Sequence, residues 1–235
     1  MNEVTETHTR LMRWDLVIDH SRTWWSKDSP RTAARAFDEG WFGAMSEKRV
    51  ESLARNLAFR FDAFPHGLPA LRAVDLSPAA RSLVCHWHVQ LTDPLYRDFT
   101  GDFLPQRRTT NPTLRRETVA DWVDQQQPGR WGTASRVQFA SKLLGCAKAV
   151  GLLQGTRGVR TLTMPTVDDT ALTYLLYLLR PVRIASRLDD NPYLRSVLHP
   201  DDIAARLQRV PALGYRAGLA EFEWAHPDLQ TWAAA

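Results

Sequence analysis

A proline–glycine pair at positions 128 and 129 divides two amphipathic runs, and one continuous helix cannot cross it. Before the break, residues 114–126 set Leu114, Val119, Trp122 and Val123 on an apolar side, with Arg115, Arg116, Asp121 and Asp124 on a wet one. After it, a helix is expected from Ala134 to Val150, with Thr133 as N-cap and Gly151 in the left-handed position past its end. At about 100° per residue, Val137, Ala140, Leu143, Leu144, Ala147 and Val150 share one side. Ser135, Gln138, Lys142, Gly145 and Ala149 fall opposite, and Phe139 and Cys146 lie at the margin. Residues 152–164 then read as two strand-like ends around Gln154-Gly155-Thr156-Arg157-Gly158, closed by Pro165. Helix, turn, helix, basic hairpin is the layout of a winged helix-turn-helix.

That layout carries a chemistry. Small side chains on the second helix let its backbone approach DNA, while Ser, Gln and Lys donate to phosphates or base edges. The DNA-contacting set expected from the sequence is Arg107, Arg108, Arg115, Arg116, Arg130, Thr133, Ser135, Arg136, Gln138, Lys142, Arg157 and Arg160. Arg157 and Arg160, on the hairpin, would reach an adjacent phosphate strand or the minor groove. The plainer alternative is a core helix of an all-α protein followed by an ordinary hairpin.

A chain of 235 residues has room for one large domain or two small ones, and 44% hydrophobic residues with nine Trp argue for a folded core. The formal charge of +4 is a mild excess, weighted toward Arg, which suits bidentate phosphate contacts. Cys85 and Cys146 are too few for a disulfide framework, and a reducing cytoplasm is the expected compartment. The longest apolar run, near residues 172–179, falls far short of the ~20 residues that span a bilayer. No membrane association is expected.

The expected architecture is mainly α: an N-terminal helical bundle (1–110), a winged helix-turn-helix with a small β hairpin (111–166) and a C-terminal helical closing segment (167–235). Residues 1–13 are polar and expected to fray, and residues 11–25 to hold a short helix. Ser29-Pro30 and Ser77-Pro78 read as helix starts, and Ser46 as the cap of a helix that buries Val50, Leu53, Ala54, Leu57, Phe61 and Phe64. Asp93-Pro94 starts a short run ending by Pro105, and polar residues 106–112 read as a linker. Thr166 with Asp169 resembles a capping box opening a helix apolar nearly all round, expected to lock the C-terminal region against the winged domain. Residues 181–198 read as irregular, residues 201–208 as a short helix, and 218–224 as a strand able to extend the wing sheet.

Two other function classes find weaker support in the sequence. Cys85-His86-Trp87-His88 offers a pair of metal ligands three residues apart but no second pair, so core histidines are the expected reading. A metal-dependent nuclease would need converging carboxylates, and only the Asp pairs at 168–169, 189–190 and 201–202 are candidates. No phosphate-binding glycine loop or activated nucleophile pattern is present, and neither catalysis nor a cofactor is expected. The runner-up function is a protein–protein assembly scaffold with incidental nucleic-acid contact, anchored by Trp24, Trp25, Trp41, Trp131, Trp224 and Trp232.

Trp131-x-Thr133, Ala140-Ser141-Lys142-Leu143-Leu144 and Ala149-Val150-Gly151-Leu152-Leu153 resemble the helix-turn-helix of the BrxA family from BREX phage-defence systems. Residues 29–35 and Tyr96-Arg97-Asp98-Phe99 upstream, and residues 174–179 and Asp190-Asn191-Pro192-Tyr193-Leu194 downstream, fit the same ordered series. The resemblance spans roughly residues 25–198 and rests on the series rather than on one motif. It implies a small, mostly helical, non-catalytic protein that binds double-stranded DNA and works with other BREX defence proteins.

Overall fold

The computed structural model describes residues 1–5, 15–155 and 158–235. Arg157, and residues 11–14 of the expected first helix, lie outside the described residues. The first helices are α1 (Ile18–Ser26), α2 (Ala33–Asp38), α3 (Glu47–Leu57), α4 (Gly67–Ala73) and α5 (Pro78–Thr92). Next, α6 (Pro94–Asp98) and α7 (Leu104–Thr110) are joined by a π-helical turn, Phe99–Phe103. The central part is β1 (Thr113–Leu114), α8 (Arg116–Gln126), α9 (Thr133–Ala149), β2 (Leu153–Gln154) and β3 (Arg160–Leu162). The chain closes with α10 (Asp169–Leu179), α11 (Pro192–Val197), α12 (Ile203–Gln208), β4 (Tyr215–Arg216), β5 (Glu221–Phe222) and α13 (Leu229–Ala233). The fold is mainly α, with two small antiparallel sheets among the described residues.

A side-chain cap starts six of these helices. Ser77 Oγ accepts the Ala80 N–H at 3.1 Å with Pro78 in the first turn, and Asp93 Oδ1 accepts the Tyr96 N–H at 3.0 Å. The apolar stripe of α3 is buried from Val50 to Leu57 and continues through Phe61 and Phe64. Each such side chain contributes about 1.5–3 kcal/mol relative to exposure.

A single hydrophobic core joins all three regions. At its centre α10, buried on every side from Ala171 to Leu179, packs against α5. Tyr174 Oη lies 2.8 Å from His88 Nε2, and His66 Nε2 donates to the Leu178 carbonyl at 3.0 Å. Helix α13 packs on α4, and α11 on the π-helical turn. The C-terminal segment therefore closes onto the N-terminal helices, where locking against the winged part was expected. An apolar helix reports that protein surrounds it, but not which protein surface does so.

Several elements differ from expectation. Ser29-Pro30 is a cis peptide outside the helix, and Thr32 caps α2 by accepting the Arg35 N–H. Residues 106–112 are not a linker: most of them form the end of α7, and Thr113–Leu114, just beyond, is a strand. Asp168, not Thr166, caps α10, taking the Ala171 N–H at 2.7 Å. Asn191 caps α11 within the stretch expected to be irregular, accepting the Leu194 N–H at 2.9 Å. Strand β5 pairs with β4 in a sheet of its own rather than extending the wing. Of residues 1–13, expected to fray, 6–13 lie outside the described residues and 1–5 are tied down. Glu3 is buried, accepts the Ala185 N–H at 2.9 Å and the Tyr193 hydroxyl, and lies 3.6 Å from the Arg97 guanidinium.

Candidate nucleic-acid interface

The central part has the order helix, strand, helix, helix, strand, strand, with β1 and β2 flanking β3 in one antiparallel sheet. That is the winged helix-turn-helix arrangement, with Leu114, expected at the start of the first helical run, in a strand before α8. The turn after α8 is held by Gly129 at φ +73° and by the Arg130 N–H donating to the Gln127 carbonyl at 3.2 Å. Val119, Trp122 and Val123 of α8, and Phe139, Ala140, Leu143, Leu144 and Ala147 of α9, are buried. Trp122 also reaches the π-helical turn, its ring centroid 5.4 Å from Phe99 and 5.1 Å from Phe103. The helix pair is thereby seated on the rest of the core.

Helix α9 ends as expected. Gly151 has φ +84°, its N–H donates to Lys148 O at 3.0 Å, and the Leu152 N–H donates to Ala147 O at 2.9 Å. Its start is one residue off: Gly132 is the N-cap, and Thr133 is already helical, its hydroxyl accepting from Arg136 at 3.1 Å. The exposed positions are Thr133, Ala134, Gln138, Ser141, Gly145, Lys148 and the expected Ala149, with Ser135 and Lys142 half-buried at their edge. Phe139 and Cys146, placed at the margin by the wheel, belong to the core, while Val137 is only half-buried. The wheel located the face but was rotated by about one position.

The expected contact residues separate into two groups. Arg107 donates to the Thr113 carbonyl at 3.0 Å, and Arg108 turns inward to Ser196 O at 3.4 Å, where burial holds its pKa below the usual arginine value. Arg136 lies 2.8 Å from the Asp124 carboxylate of α8. These three cations serve the fold. The side chains of Gln138, Lys142 and Lys148 make no hydrogen bond or ion pair with the described residues. Arg115 and Arg116 are exposed at the start of α8, Arg116 being 3.6 Å from Glu117. Arg130 is exposed, bonded to Gln127 and stacked 5.0 Å over the Trp131 ring, which itself packs on Phe139. Pairing of β1 with β3 sets Arg160 opposite Leu114, next to Arg115; Arg160 also donates to Gly158 O at 3.3 Å.

Ser141 falls outside the expected set, and a plainer signal also lies in the sequence. Residues 125–167 contain no Asp or Glu but six basic residues, namely Arg130, Arg136, Lys142, Lys148, Arg157 and Arg160. Across 104–162 there are ten basic residues against three acidic ones, leaving 20 basic and 23 acidic elsewhere from totals of 30 and 26. The small net charge conceals a strongly polarised chain.

The histidine and cysteine cluster belongs to the interior. His86 contacts Tyr96 Oη at 2.8 Å and Ser196 Oγ at 2.9 Å, and His88 Nδ1 donates to Arg60 O at 2.9 Å. Burial lowers His86 to about 3 and His88 to about 4, and pushes the Cys85 and Cys146 thiols up to about 12. No cluster of three or more metal-ligating side chains occurs among the described residues. Of the carboxylate pairs considered for catalysis, 168–169 opens α10, 201–202 lies in the helical turn before α12, and Asp189 is tied to Arg187 and Tyr215. Trp24, Trp25 and Trp41, three of the residues read as scaffold anchors, are buried in the core. No described helix is long and apolar enough to cross a membrane.

No protein-family model matches the chain, and neither a curated protein nor a solved structure is significantly similar to it.

Proposed function

We propose that this protein binds double-stranded DNA through α9 and the β2–β3 hairpin, without catalysing a reaction on it, as a component of a bacterial BREX phage-defence system. One observation carries the DNA reading: Lys148 on the exposed stripe of α9 and Lys142 at its edge have no partner among the described residues, and the 125–167 segment around them contains no carboxylate. A polyanion meeting that face gains attraction along the helix with no opposing charge on it. Exposed Gly145 between the lysines leaves the backbone approachable, and Gln138 can donate to a base edge. The defence setting, and the other BREX proteins as partners, come from the BrxA resemblance alone.

The test is a salt series of fluorescence anisotropy with duplex, single-stranded DNA and RNA, repeated on Lys142→Glu/Lys148→Glu. About half a dozen neutralised phosphates give a log–log slope on the order of −5 for duplex. The double variant should lose at least tenfold in duplex affinity while its unfolding curve superimposes on the parent's. Equal affinity of parent and variant for duplex sinks the proposal.

A further inference from the structure

Gly145 has no reason within the fold to be glycine. Of the chain's twelve glycines, seven adopt positive φ, and two more occupy the α9 N-cap and the β4–β5 turn. The remaining three lie in helical segments. A Cβ on Gly67 would stand 2.8 Å from Tyr174 Oη, and one on Gly101 would stand 2.5 Å from Pro192 Cβ, so packing explains both. Gly145 is interior to α9, its φ is not positive, and a Cβ there meets nothing within 4 Å. Alanine is about fivefold more favourable than glycine at such a position. The fold loses stability there and gains no internal contact.

A second, independent asymmetry points to the same end of the helix. In the N-terminal half of α9, Arg136 is ion-paired to Asp124 and also holds the Thr133 hydroxyl. Lys142 and Lys148, without a partner among the described residues, flank Gly145 on either side. The hairpin leaves from this end, since β2 begins four residues after Ala149. Cations without a partner among the described residues, the approachable backbone and the wing therefore share one end of the helix.

We propose that DNA is engaged by the C-terminal half of α9 together with the hairpin, a strand of the duplex making its closest approach to the protein backbone at Gly145. A helix entering the groove by its N-terminal residues would instead place Ala134 and Ser135 deepest. The proposal rests on the DNA-binding reading above and adds the direction from which the duplex is met. Lys142 and Lys148 neutralise phosphates on either side of the contact, and the missing Cβ permits the approach.

The experiment compares Gly145→Ala with Ala134→Leu in thermal unfolding and in duplex anisotropy titrations. Gly145→Ala should raise Tm by roughly 2–4 °C and weaken duplex binding about tenfold. Its salt slope should stay unchanged, because no charge is removed. Ala134→Leu, on the exposed first turn, should bind within about threefold of the parent. Parent-like binding by Gly145→Ala, or a larger loss in Ala134→Leu than in Gly145→Ala, overturns the inference while leaving DNA binding in place. A parent protein that binds no duplex removes both.

Discussion

The Arg136 guanidinium lies 2.8 Å from the Asp124 carboxylate, so the first basic side chain of α9 is engaged by the helix before it. Both side chains are partly exposed, at 25% and 36%, so the pair contributes little to stability, about 0–1 kcal/mol. Its larger effect is on charge available to a partner. Asp124→Asn keeps the shape and releases Arg136, so duplex affinity should rise and the log–log salt slope should steepen by about 0.9. Titrations at three salt concentrations measure this, and a slope equal to the parent's refutes it.

Acid should destabilise the protein well before its carboxylates are protonated. His86 and His88 sit at about 3 and about 4 in the folded state, against an ordinary value of 6.5, because burial penalises their charged forms. Above pH 6.5 both are neutral folded or unfolded, and their full contribution is present. As pH falls from 6.5 toward 4, the unfolded chain binds two protons that the folded chain does not, and stability drops with them. The loss by pH 5 is on the order of a few kcal/mol. Urea midpoints at pH 7.5, 6.5, 5.5 and 5.0 should decline steadily below 6.5, and a flat series to pH 5 contradicts the account.

Gly101, in the π-helical turn between α6 and α7, tests the joint between the N-terminal helices and the C-terminal segment. A Cβ on it would stand 2.5 Å from Pro192 Cβ and 2.8 Å from the Pro192 carbonyl oxygen, and backbone cannot yield as a flexible side chain does. Gly101→Ala should therefore destabilise by about 1–3 kcal/mol despite alanine's better helix propensity. The sign is opposite to that expected for Gly145→Ala. Thermal unfolding of the two variants side by side decides it, and a stabilised Gly101→Ala would show that α11 can move away at no cost.

Signals carried within one turn of helix were legible without coordinates. The α3 stripe, the Ser77-Pro78 and Asp93-Pro94 starts, and the Gly151 terminus all appear where expected, because cap and periodicity are set by residues one to four apart. Competing nearby caps were harder. Thr32 prevailed over Ser29, and Asp168 over Thr166, each choice depending on where the chain enters the core. The two-residue strand β1 has no periodicity of its own and exists only through pairing with β3.

By itself the sequence determined a mainly α chain, a helix–turn–helix followed by a hairpin, and a cationic segment without carboxylates. Only the tertiary structure decided which cations remain available. Arg108 meets Ser196, 88 positions away, and Arg136 meets Asp124 across a turn, while Lys142 and Lys148 meet neither acid nor carbonyl among the described residues. A guanidinium has the same formal charge wherever it stands in a sequence. Whether that charge faces a partner or a carbonyl of its own chain depends on contacts between distant segments, and those form only when the core closes.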